Sequence, residues 1–101
     1  MSGAEHRIVW DFRPAPGREA EFLAAYGEDG AWVRLFRRGE GYLGTSLQPL
    51  AGAPGTWRKV DRWQSAQAYQ AFRQQHASEY AALDAECEAL TEFEQAVETP
   101  T

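Results

Sequence analysis

An α+β fold of the ferredoxin-like, split βαβ type, with a four-stranded antiparallel sheet, is predicted by three features of the sequence. Residues 6–13, "HRIVWDFR", alternate in the two-residue period of a strand. Residues 42–49 and 56–63 repeat that period on either side of the turn-rich "LAGAPG". The segments between and after these strands carry apolar residues every three or four positions, the pattern of a helix face. The resulting order is strand, helix, short helix, strand, strand, helix, helix, strand. Two strand–helix–strand crossovers then flank a central hairpin.

Each element has a local reason. In the first strand Ile8, Trp10 and Phe12 point one way, and Arg7, Val9, Asp11 and Arg13 the other. "PAPG" at 14–17 stops it, because proline has no N–H for a ladder. A helix is predicted from about Arg18 to Tyr26, with Phe22, Leu23 and Tyr26 on one face and Glu19 and Glu21 suiting its N-terminal dipole. Gly27 and Gly30 end it. In "GAWVRLFRRGEGYLGT" (30–45), Trp32, Leu35 and Phe36 fall at i, i+3 and i+4. That run is too short to hold helical structure alone, since nucleation is costly, so it must lie clamped on apolar surface. Arg34, Arg37 and Arg38 are left to face water.

The second strand is predicted over Tyr42–Pro49, with Leu43, Thr45 and Leu47 alternating against Tyr42, Gly44 and Ser46. Gly44 within it suggests a bulge or a close approach. The third, from about Thr56 to Trp63, sets Trp57, Lys59, Asp61 and Trp63 on one face and Arg58, Val60 and Arg62 on the other. Ser65 is placed to cap the next helix. Tyr69, Phe72 and His76, then Tyr80, Leu83, Cys87 and Leu90, form one long stripe. A break is expected near residues 76–78, with Ser78 capping the second segment. A last strand follows from about Leu90 to Val97, with Phe93 and Val97 on one side. The helices cover one face of such a sheet. The other face would be bare, so a homodimer with two sheets packed face to face, a dimeric α+β barrel, is expected.

The bulk properties narrow the function. With 101 residues, 44% of them hydrophobic and 13% aromatic, the chain reads as one domain, 1–101, with an ordered core over about 6–97. Its aromatics exceed what a small core easily hides, so some should line a pocket or interface. The net charge of −5 argues against a nucleic-acid partner. Residues 77–101 hold seven acids and no Lys or Arg, which reads as a solvated acidic face or as partners for Arg34, Arg37, Arg38 or Arg62. Cys87 is the single cysteine, so no intrachain disulfide or thiolate metal cluster forms, and it reads as a small buried residue. No membrane span and no signal-peptide core is visible, and a cytoplasmic setting is expected.

Two polar residues stand out. Asp61 shares a strand face with Trp57 and Trp63; there it is either a proton acceptor for a phenol or the partner of Arg58, Arg62 or a dimer-mate arginine. His76, on the apolar stripe, is either a pocket acid/base or a hydrogen-bonded histidine at a helix end. His6 is expected at a frayed terminus. No Ser/His/Asp order, phosphate-binding loop or metal-ligand spacing is present.

"YGEDGAWVRLFRRGEGYLGTSL" (26–47) and "DRWQSAQAYQAF" (61–72) resemble the antibiotic biosynthesis monooxygenase-like group of the dimeric α+β barrel superfamily. Trp63, Ser65, Tyr69 and Phe72 carry the most specific part of that resemblance, which spans about residues 6–97. It implies a homodimer with a pocket between sheet and helices. It also implies, for some members, oxidation of polycyclic phenols by O₂ without metal or organic cofactor. Trp63 and Tyr69 match its pocket residues. Trp32, Phe36, Trp63 and Phe72 are then the expected substrate-binding walls, and Tyr69, His76 and Asp61 the expected catalytic groups. The chain contains no Asn, and Lys59 stands where phenol-oxidising members carry one, four residues before Trp63. The first-strand Asn of haem-degrading members is also missing, so haem degradation is not expected. Three readings follow: a cofactor-independent oxygenase acting on a small aromatic or polycyclic phenol, a non-catalytic dimer binding a small hydrophobic ligand, and a structural dimer whose aromatics are all core.

Overall fold

The computed structural model describes residues 5–98. The elements are β1 (His6–Pro14), α1 (Glu19–Tyr26), α2 (Ala31–Phe36), β2 (Tyr42–Pro49), β3 (Trp57–Trp63), α3 (Ala66–Gln75), α4 (Ala77–Cys87), a 3₁₀ turn (Glu88–Leu90) and β4 (Thr91–Val97). The four strands form one sheet in the order β2-β3-β1-β4, every neighbouring pair antiparallel. This is the predicted ferredoxin-like α+β arrangement.

The register explains the site. Across the sheet Leu47 stands opposite Lys59 and Lys59 opposite Trp10, while Thr45 stands opposite Asp61 and Asp61 opposite Ile8. Residues directly opposite in an antiparallel pair share a face, so all six lie on the helix-covered side. Val9, Val60 and Val97 form a row on the other face. There Arg58 closes a bidentate pair on Asp11 at 2.8 and 2.9 Å, and Phe93 remains 38% exposed with the Arg13 guanidinium above its ring.

Several local expectations are corrected. The alternation placed Tyr42 opposite Thr45 and Leu47 in facing. The register instead slips between Tyr42 and Gly44, so Tyr42 pairs with Trp63 on the helix side and Leu43 is pushed out to solvent. The extra residue of a bulge inverts the face of everything before it. In α1, Leu23 is exposed, and Phe22, Ala25 and Tyr26 make the buried i, i+3, i+4 face. Ser78 does not cap α4: His76 occupies that position with a non-helical backbone, and its carbonyl accepts from Tyr80 N–H at 2.9 Å. His6 is not frayed. It begins β1 opposite Trp63, with its ring 5.9 Å from that of Tyr69.

Other expectations hold. In α2, Trp32, Val33, Leu35 and Phe36 are all buried, so this one-and-a-half-turn helix is held by packing. Ser65 Oγ accepts from Ala68 N–H at 3.0 Å and caps α3. Gly39, in the α2–β2 connection, lies flat on the core: a Cβ there would stand 2.8 Å from Phe72 Cδ1 and 3.0 Å from the Trp63 ring. The acidic half reaches back to the basic one through Glu79, 2.7 Å from Arg38. Arg37 pairs with Asp29 instead, and Arg62 with Glu5.

Candidate functional site

A cavity of about 270 Å³ opens between the sheet and the helices. Ile8, Trp10, Lys59 and Asp61 rise into it from β1 and β3. Its walls are aromatic: Tyr26 from α1, Trp32 and Phe36 from α2, Tyr69 and Tyr80 from α3 and α4. Arg73, Asp84 and Glu94 complete the lining. Concave, aromatic-walled space is the usual form of a small-molecule site, and this volume falls just below the usual range of about 300–1,000 Å³.

The polar heart of the cavity is a buried ion pair. Lys59 Nζ lies 3.0 Å from Asp61 Oδ2, with the two side chains only 6% and 4% exposed. Charges are rarely buried this deeply unless paired. Three rings complete the surroundings of the ammonium: the centroids of Phe36, Tyr26 and Trp32 are 5.1, 5.7 and 5.7 Å from Nζ. At such distances ring faces attract a cation and so hold it inside. Asp61 Oδ1 accepts from Thr45 Oγ1 at 2.7 Å. Tyr42 also bonds Thr45 Oγ1; since the Thr45 proton is directed at Asp61, the Tyr42 hydroxyl is the donor. The partner of Asp61 is thus Lys59, two residues away on the same strand face, and not Arg58 or Arg62, which point to the open face. Asp11 and Glu5 engage those arginines.

The remaining candidates fall into two groups. Asp61, Tyr69, Trp32 and Phe36 line the cavity. Trp63, Phe72 and His76 do not. Trp63 is fully buried and packs edge-on against Phe36, Tyr42 and Tyr69. Phe72 lies between Trp63 and Phe36. Both therefore shape the cavity from behind, by fixing the rings that line it. His76 sits at the α3–α4 break against Phe72, its buried Nδ1 3.4 Å from Glu79 Oε1 but without a hydrogen bond. Tyr69, half-buried, accepts from Arg73 Nη1 at 3.0 Å, and the Arg73 guanidinium stacks 3.8 Å above the Tyr80 ring.

Burial pushes the Tyr26 and Tyr80 phenols well above their ordinary value of 10. Both therefore stay protonated at neutral pH. The Trp32 indole N–H is buried without a well-formed hydrogen bond and is directed at the Tyr26 hydroxyl and the Cys87 thiol. Among the described residues no three His, Cys, Asp or Glu side chains converge as a metal site requires.

Lys59 is the residue to which sequence reasoning gave no role in the site, noting it only where the family's phenol-oxidising members carry Asn. Its signal was present: a lysine on the Trp57–Asp61–Trp63 face of a strand, where an apolar residue belongs. Tyr26 and Tyr80 read only as members of helix stripes. Trp10 read only as a strand residue. Their convergence needs the packing of α1 and α4 over β1, which no local pattern states.

Comparison with known proteins agrees with this architecture. PA3566 from Pseudomonas aeruginosa aligns over 100% of this chain and 96% of its own, with 16% identity and a TM-score of 0.71. A candidate antibiotic biosynthesis monooxygenase from Bordetella bronchiseptica aligns over 96% of this chain and 97% of its own, at 24% identity and a TM-score of 0.71. SnoaB, a cofactor-independent oxygenase from Streptomyces nogalater, covers 96% of this chain and 94% of its own, at 16% identity and a TM-score of 0.71. At these identities the likeness is one of fold. Among proteins of curated function none is a sequence match. No helix among the described residues is long and apolar enough to cross a membrane. The antibiotic biosynthesis monooxygenase profile matches residues 6–98, nearly the whole sequence, and the chain belongs to that family.

Proposed function

We propose that this protein is a cofactor-independent oxygenase that binds a small aromatic or polycyclic phenol in the cavity between sheet and helices, and that it works as a homodimer. One observation carries the reading: an aromatic-walled cavity encloses a buried Lys59–Asp61 pair, which supplies a proton acceptor and a cation among the rings. An electron-rich phenolate or enolate reduces O₂ directly, so the protein's tasks are to bind the ring, favour ionisation and keep water out. In such a reaction an anthrone methylene becomes a carbonyl, consuming one O₂ and releasing one water. SnoaB, which shares the fold, is a cofactor-independent oxygenase. The homodimer reading draws support from the sheet face that no helix covers, where half-buried Val60 and Val97 flank Val9 and Phe93 is exposed.

A second reading, a non-catalytic dimer that binds a small hydrophobic ligand, draws support from Asp61, whose two oxygens already accept from Thr45 and Lys59. Oxygen uptake by the purified, metal-free protein with a panel of anthrones and hydroquinones separates the two. The oxygenase predicts uptake that scales with protein and falls at least tenfold in Asp61→Asn under conditions where circular dichroism shows the variant folded. Ligand binding without uptake across the panel selects the second reading.

A further inference from the structure

We propose that Lys59 is the residue that receives the ligand's hydroxyl oxygen, with Asp61 beside it as proton acceptor, so that the cavity selects neutral aromatic molecules bearing an acidic hydroxyl. This rests on reading the cavity as an aromatic ligand site. Lys59 rises from the middle of β3 with its ammonium against three ring faces, instead of threading outward to water as lysine stems usually do. It has three N–H donors, and Asp61 is the one carboxylate it meets among the described residues. Asp61 has one bond on each oxygen and lone pairs to spare. A hydroxyl placed between them accepts from Nζ and donates to the carboxylate, and only a group that is donor and acceptor at once satisfies both.

The chemistry is balanced within that triad. The ligand O–H bond breaks, its proton passes to an Asp61 oxygen, and the electron pair stays on the ligand oxygen against the Lys59 ammonium. Net charge in the buried space is the same before and after, so low polarity does not oppose the transfer by creating a new charge. Acidity then decides the substrate. A simple phenol is about a millionfold weaker an acid than a carboxylic acid, a gap that ring substituents and Lys59 narrow. An aliphatic alcohol, near water in acidity, lies several further orders away. Asp84 and Glu94, also on the cavity, disfavour a ligand that arrives already anionic. The other titratable groups facing the space are Tyr26 from α1, Tyr69 and Arg73 from α3, and Tyr80 from α4, with Tyr42 behind Thr45.

The test uses para-nitrophenol, whose ionised form is coloured. Binding is followed by tryptophan fluorescence and ionisation of the bound probe by absorbance against pH. Wild type is compared with Lys59→Met and with Lys59→Met/Asp61→Asn, each checked for folding by circular dichroism. The bound probe should ionise most readily in wild type, at least tenfold less in the double variant, and least in Lys59→Met, where Asp61 is left negative and alone. If Lys59→Met fails to fold, the double variant, which buries no lone charge, carries the comparison. Equal ionisation of bound probe in wild type and the double variant overturns the role of Lys59 and leaves the cavity reading standing. Absence of binding to wild type overturns the cavity reading and this inference with it.

Discussion

Lys59 and Asp61 stand two residues apart on one face of β3, with their charged ends 3.0 Å apart beneath Phe36, Tyr26 and Trp32. Removing one partner leaves the other charge buried and alone. Asp61→Asn or Lys59→Met should therefore destabilise the fold by roughly 3–5 kcal/mol. Removing both should cost much less than the sum of the two. A double-mutant cycle in urea measures the coupling; additive single effects would show that the pair is not a unit.

Gly39 sets how closely the α2–β2 connection approaches the core. An added Cβ would meet Phe72 Cδ1 at 2.8 Å and the Trp63 ring at 3.0 Å. Both rings are themselves packed on all sides, so neither can yield cheaply. Gly39→Ala should cost about 1–3 kcal/mol. A thermal melt reads this as a loss of several degrees for a domain of this size. A gain in melting temperature would mean that the connection can lift away.

Tyr26 and Tyr80 give the fold an alkaline limit. Burial raises both above the ordinary value of 10. In the unfolded chain they ionise near 10; in the folded chain they resist. Their contribution is thus complete below pH 10 and is lost as pH rises beyond it, because ionisation then favours the unfolded chain. Native absorbance titration should show these phenols ionising together with unfolding, whereas in urea all tyrosines titrate near 10. Free titration of every tyrosine in the folded protein would contradict their burial.

The open sheet face should control assembly. Val60 lies between Val9 on β1 and Ser46 on β2, at the centre of that face. Sedimentation should give wild type twice the 11.3 kDa chain mass, and Val60→Glu the chain mass itself. Such a substitution puts an unpaired charge into an apolar interface while leaving the helix-covered core untouched. A monomeric wild type would remove the proposed dimer.

The protein's fold was legible because its periodicities are clean. The alternation of Ile8, Trp10 and Phe12 fixes a strand and its buried face, and Trp32, Leu35 and Phe36 fix a short helix that must be clamped. Ser65 announces a cap by its chemistry. In β2 one residue of register decided. The slip between Tyr42 and Gly44 moved Tyr42 inward and Leu43 outward, a choice made by pairing with β3 and invisible in β2 alone.

The site divides along the same line. Residues close in sequence on one strand, Lys59, Asp61 and Trp63, could be placed on a common face from the two-residue period alone, as could the stripe carrying Tyr69, Phe72 and His76. Depth is what the period does not state. Trp63 and Phe72 went fully into the core and His76 to the helix break, while Tyr26, Tyr80 and Trp10 came to the cavity from three separate elements. Sequence by itself determined the order of the elements, most of their faces and the family; tertiary packing decided the rest and which side chains meet. Periodicity is a property of a few consecutive residues, whereas a cavity is the space left when elements distant in sequence cannot pack completely against each other.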